Sequence, residues 1–137
     1  MPRDASPLIP ALLLAMLPVA AAAQVQLQRG YYVDAATPCA RASNATLTLV
    51  HRTGINSSRV ACEFTAVTPA GPDTYAFTES CTEIGSSEPF ENAGTIVLMS
   101  PTRYRVQGEG WQAEMNHCPQ PALPEPWRSN DISDLVN

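Results

Sequence analysis

Four cysteines, two histidines and a few carboxylates and arginines are the residues of this 137-residue chain whose types offer chemistry. Cys39, Cys62, Cys81 and Cys118 are separated by 22, 18 and 36 residues. Zinc knuckles and thiol redox motifs use a CxxC pair to put two thiolates on one turn, and no such pair occurs here. Two disulfides are the expected use of the four sulfurs. His51 alternates onto the face of Leu47 and Leu49 and reads as a satisfied strand histidine rather than a ligand or general base. His117 could pair with Cys118 as a ligand only if that thiol were free, and it is expected to be oxidised. Serines are plentiful, but none sits in a GxSxG elbow, and nucleophilic catalysis also needs a base and an orienting acid. No catalytic residue, metal or cofactor is therefore expected, and the chain reads as a non-enzyme. A small hydrolase or metal-dependent enzyme would require two of His51, His117 and Glu79 to meet in one cleft.

Three charged groups are the candidates for interaction. Glu88 and Glu91, with Glu83, form an acidic stretch without the Asp-rich, Gly-centred layout of a calcium loop. Arg103 and Arg105 flank Tyr104 and project from an outward strand face, where guanidinium groups suit an anion or carboxylate. Glu79 alternates inward between Phe77 and Cys81. An inward carboxylate needs a partner or a place near an opening, and the mouth of a barrel is the expected place.

The elements that must hold these residues are strands. Gln24–Val33 ends in the strand-prone Tyr31-Tyr32-Val33, and Ala45–Arg52 alternates cleanly. Thr53–Ser58 reads as a turn cluster. Arg59–Cys81 is the centre of the pattern: an alternating arm, the punctuation Pro69-Ala70-Gly71-Pro72-Asp73, and a second alternating arm. Val60, Cys62, Phe64 and Ala66 share one face of the first arm, and Tyr75, Phe77, Glu79 and Cys81 share one face of the second. With both aromatic faces inward, Cys62 and Cys81 point the same way and lie directly across or one pair diagonal, and a one-residue slip would expose an aromatic face. Thr82–Ala93 reads as a loop. Gly94–Ser100 reads as a strand covered on both faces, followed by Arg103–Gln107 and by a strand from Trp111 with Trp111, Ala113 and Met115 inward. Cys118 falls on the outward side or just past that last strand, and Cys39 follows the first. The expected pairing is thus Cys62–Cys81 and Cys39–Cys118, with Cys39–Cys62 and Cys81–Cys118 as the alternative. Pro119–Asn137, with prolines at 119, 121, 124 and 126, reads as an extended or disordered tail, with Trp127 docking on the body and a brief helix within Ser129–Val136.

Leu8–Ala23 is an apolar run ending in small residues, the layout of a signal peptide cut after Ala23. The expected organisation is signal peptide 1–23, β-barrel domain 24–118 and Pro-rich tail 119–137. Residues 24–137 carry seven arginines, twelve carboxylates and no lysine. That balance excludes nucleic acid and anionic membranes as partners, since both require dense positive charge. Six to seven short strands joined by turns predict an all-β antiparallel meander closed into a small barrel, with a β-sandwich as the alternative.

Gly30-Tyr31-Tyr32, Pro38-Cys39 with Ala42-Ser43-Asn44-Ala45, Tyr75 to Cys81, and Cys118-Pro119 together resemble small exported cysteine-containing proteins of Gram-negative bacteria, over residues 30–119. The resemblance implies a compartment and a layout but no site. In size and strand count the chain is also similar to small-barrel periplasmic lysozyme inhibitors. The expectation is an exported, periplasmic or secreted, monomeric β-barrel that binds a protein or small molecule. Lysozyme inhibition, an enzyme of the kind above and a structural envelope component are the alternatives.

Overall fold

The computed structural model describes residues 23–137; the expected signal peptide lies outside the described residues apart from Ala23. Eight antiparallel strands form one sheet: β1 Gly30–Asp34, β2 Leu47–Val50, β3 Ile55–Ser57, β4 Val60–Gly71, β5 Thr74–Glu83, β6 Phe90–Ser100, β7 Arg103–Gly108 and β8 Trp111–His117. Their order is β3-β2-β1-β8-β7-β6-β5-β4, and the sheet curls into a nearly closed barrel. First and last strands are neighbours, with Tyr32 opposite His117. The strand beyond the seven legible in the sequence is β3, three residues inside what reads as a turn cluster. It pairs with β2 through Val50 and Ile55, so a tight hairpin replaces the expected loop.

The β4–β5 hairpin has the expected register at its base, with Cys62 directly opposite Cys81. Both disulfides form in the expected pairing, with Cα–Cα distances of 4.1 Å for Cys62–Cys81 and 5.7 Å for Cys39–Cys118. Further up, a bulge at Thr65 lets two residues of β4 oppose one of β5, so Val67 rather than Ala66 sits across from Phe77. Ala66, expected inward, is therefore exposed. The turn is made by Pro72 and Asp73, the latter at φ 50°.

Two hydrophobic clusters lie on opposite faces of the sheet. Tyr32, Val50, Phe77, Ile96, Tyr104 and Met115 fill the lumen, with Tyr32 and Tyr104 edge-to-face at 5.2 Å. Val25 and Leu27, which precede β1, pack against this cluster and cover one end of the barrel. Gln28 anchors that segment by donating its N–H to the Pro101 carbonyl at 2.9 Å and accepting from the Tyr32 hydroxyl at 2.7 Å. On the outer face, Tyr31, Val33, Leu47, Leu49, Cys118 and Leu123 form the second cluster.

The outer cluster corrects the reading of the tail. Residues 119–137 are not a free extension: Leu123 is 1% exposed, and Trp127, Ile132 and Val136 pack beside it. Backbone and side-chain bonds hold the segment down. Arg52 donates to the Leu135 and Asp134 carbonyls, Arg29 to the Val136 carbonyl, and Asn130 to the Tyr31 hydroxyl. The expected terminal helix is present as α1, Ser133–Val136. Cys118, outward by alternation, is buried because the tail covers it. The tail covers only the β1–β2 side, and β6 loses its expected second cover: Ile96 is fully buried in the lumen, but Met99 is 44% exposed.

The barrel closes at β3 and β4 through one backbone bond and a set of side-chain bonds rather than a strand ladder. Thr53 accepts a bond from the Phe64 N–H at 2.7 Å. Below it, Asn56 Oδ1 accepts from the Cys62 N–H at 2.9 Å, and His51 Nε2 lies 3.1 Å from the Cys62 carbonyl and 3.0 Å from Asn56 Oδ1. Both His51 neighbours are acceptors, so Nε2 carries the proton and donates. His51 thus satisfies backbone that the absent ladder would leave unpaired. Gly54 makes the approach possible, because a Cβ there would stand 2.1 Å from the Cys62 carbonyl oxygen.

Candidate functional site

Inward alternation on β5 puts Phe77, Glu79 and Cys81 in the lumen, and β2, β7 and β8 bring Thr48, Tyr104, Val106 and Met115 to meet them. Packing between these strands leaves a cavity of about 320 Å³. Small-molecule sites span about 300–1,000 Å³ and combine apolar walls with a few convergent polar groups. The cavity has that composition and lies toward the end of the barrel opposite Val25 and Leu27. A second hollow of about 210 Å³ lies beside Val25, Leu27 and Phe64, with no carboxylate in its lining.

Phe90 and Trp111 flank the cavity at its outer end and are 46% and 45% exposed. Trp111, expected in the core, stands at the mouth instead. It pairs with Gly108 across the β7–β8 turn, and its indole lies where a Cβ on Gly108 would be, 2.4 Å from Nε1. The bare glycine is the seat that holds the ring at the opening.

Glu79 is 7% exposed, as its alternation requires, and its partner is Asn92 on β6, which donates Nδ2–H to Oε1 at 2.9 Å. Burial pushes the Glu79 carboxyl above the usual carboxylate range, and the Asn92 bond opposes this only in part. Tyr104, fully buried, is pushed up to about 12 by burial; the Thr48 hydroxyl at 3.4 Å pulls it down and the Glu79 charge adds to the rise. At neutral pH the lumen therefore presents a protonated phenol and a carboxyl poised above its ordinary range.

A Glu79→Gln chain tests this electrostatic reading through stability. The folded state holds its proton to higher pH than the unfolded chain does, so stability falls as pH rises from the unfolded carboxylate pKa through the folded one. Glutamine keeps the acceptor for Asn92 and removes the charge. Its melting temperature should exceed that of the parent at neutral pH and converge with it in acid. Parallel melting curves across that range would count against a strained carboxylate.

Among the described residues, Cys62, Glu79 and Cys81 form a group whose sulfur and oxygen atoms all lie within 4.8 Å of one another. Both sulfurs are joined in the disulfide and offer no thiolate, so this triad does not hold a metal in its oxidised form. The remaining candidates stay apart. His51 is engaged at the seam, and His117 packs edge-to-face on Tyr32 at 5.3 Å with its pKa lowered by burial. No hydrogen bond links any two of His51, His117 and Glu79. Arg103 and Arg105 both turn to Glu114 on β8, at 2.8 and 2.7 Å, and hold its carboxyl below the usual range, Arg105 more strongly. Their guanidinium groups have an internal partner that alternation alone did not reveal. Glu88 lies in the β5–β6 loop and Glu91 near the start of β6, both exposed beside the mouth. Among the lumen residues, Ile55 and Ser57 fell in a stretch read as a turn, Phe90 and Asn92 in a stretch read as a loop, and Thr48 was not singled out. Asn92 in particular carried no local signal, and only its pairing across from Glu79 on β6 places it in the lumen.

No protein-family model, curated protein or solved structure matches the chain. Fold and site together define a small, disulfide-stapled antiparallel β-barrel with a cavity in its lumen. Among the described residues, no helix is long and apolar enough to cross a membrane.

Proposed function

We propose that this protein is an exported, non-catalytic β-barrel that binds a small, largely apolar molecule in its lumen. The observation that carries the proposal is the cavity of about 320 Å³, with apolar walls, an inward Glu79 and Tyr104, and exposed Phe90 and Trp111 at its mouth. Two disulfides are maintained in oxidising compartments, which supports export to the periplasm or beyond the cell. The absence of hydrogen bonding between the histidines and Glu79 supports a binding rather than a chemical role. Isothermal titration of the oxidised chain with a neutral probe, phenethyl alcohol, tests the proposal. Saturable binding should be weakened about tenfold or more by Ala113→Phe, which fills the lumen beside Met115. No binding, or binding indifferent to Ala113→Phe in a variant that still melts cooperatively, would overturn it.

A further inference from the structure

The lumen is apolar on most of its wall yet contains one carboxylate with no cation near it. The cavity lining includes no arginine or histidine, and the chain has no lysine. Around Glu79 stand the Asn92 amide from β6, the Tyr104 phenol from β7 and the oxidised Cys62–Cys81 pair from β4 and β5. Asn92 binds Oε1, and every fully buried side-chain polar atom among the described residues has a partner. Oε2 has no protein hydrogen bond and so faces the accessible space of the cavity. A buried carboxylate without a counter-charge is costly unless something supplies one.

Two kinds of partner carry positive charge, inorganic cations and organic ammonium groups, and the walls decide between them. A calcium-type cation takes six to eight oxygens, several of them carboxylate, and Glu79 is the one carboxylate in this lining. An inorganic cation would also lose its hydration shell against apolar side chains. An organic ammonium with a hydrocarbon body fits both features: the body against the apolar wall, the charge against Glu79 Oε2. The mouth suits the same class. Phe90 and Trp111 offer exposed ring faces, which attract cations, and Glu83, Glu88, Glu91 and Glu109 lie on the strand ends and turns of that end.

We propose that the lumen selects a small hydrophobic amine in its ammonium form, with Glu79 as the counter-ion. This rests on the lumen being a ligand site at all, as proposed above. Titrations with phenethylamine and with its neutral isostere phenethyl alcohol separate the two proposals. They are run at about pH 8, where the amine is charged. The parent chain should bind the amine at least about tenfold more tightly than the alcohol. Glu79→Gln should remove that preference, and Ala113→Phe should weaken both. Equal affinity for the two probes, or an amine preference that survives Glu79→Gln, would overturn the ammonium assignment and leave luminal binding standing. Failure of both probes to bind would overturn both proposals.

Discussion

Ending the chain after Cys118 is expected to cost the barrel about 4 kcal/mol or more in stability. The removed segment covers Tyr31, Val33, Leu47 and Leu49, and Leu123 at its centre is 1% exposed. Burying one such leucine is worth about 1.5–3 kcal/mol, and Trp127, Ile132 and Val136 add their own apolar area. The Cys39–Cys118 bond would remain, but the outer faces of β1 and β2 would meet water. Urea unfolding monitored by far-ultraviolet circular dichroism reads the difference. Because truncation removes part of the core, Leu123→Ala supplies the graded version. It should lower stability by about 2–5 kcal/mol. Midpoints unchanged in Leu123→Ala would mean that the tail rests on the barrel without being part of its core.

At the seam, Gly54→Ala is expected to cost about 3 kcal/mol or more, a large effect for a single methyl group. The new Cβ would meet the Cys62 carbonyl oxygen at 2.1 Å, so backbone rather than a flexible side chain must yield. Moving β4 away breaks a connected set of bonds: Thr53 to Phe64, and His51 and Asn56 to Cys62. His51→Ala keeps the backbone approach but leaves the Cys62 carbonyl unpaired, and should cost about 1–3 kcal/mol. Amide hydrogen exchange localises the damage. The Cys62 and Phe64 amides should lose protection in Gly54→Ala, while Ile96 and Tyr104, on the far strands of the lumen, should fall only with global stability. A Gly54→Ala chain within about 0.5 kcal/mol of the parent would show that the seam tolerates opening.

The ordering of these effects reflects where local pattern ends. Alternation in Arg59–Cys81 put Cys62 and Cys81 on one face, because a slip of one residue would have turned Phe77 to water; the observed register sets them directly opposite. The same alternation placed Glu79 inward, and the cysteines at either end of the barrel chain paired as their environments required. The Thr65 bulge, by contrast, has no local signature: Ala66 and Val67 are both acceptable inward residues, and the choice depends on fitting β4 against β5 and the seam together. Ile55–Ser57 was unreadable as a strand because three residues carry too little periodicity, and their pairing with β2 decides the matter. Trp111 moved from core to mouth because Gly108, its partner across a turn, leaves room for the ring on that side.

The candidate site divides in the same way. Glu79 could be named from alternation, but its partner Asn92, the phenol of Tyr104 and the cavity between them arise from four strands meeting in one lumen. Arg103 and Arg105 were legible as outward, but Glu114 opposite them was a matter of register. The sequence by itself determined the all-β class, a shared face for Cys62 and Cys81 and the inward carboxylate, since periodicity and turn residues are properties of neighbours along the chain; the Cys39–Cys118 bond joins residues 79 apart and was one of two pairings left open. Only the tertiary structure decided that the proline-rich tail is core, that side chains close the barrel, and that Glu79 stands in a cavity without a cation. Each of those depends on surfaces contributed by residues far apart in sequence, and burial exists only once they meet.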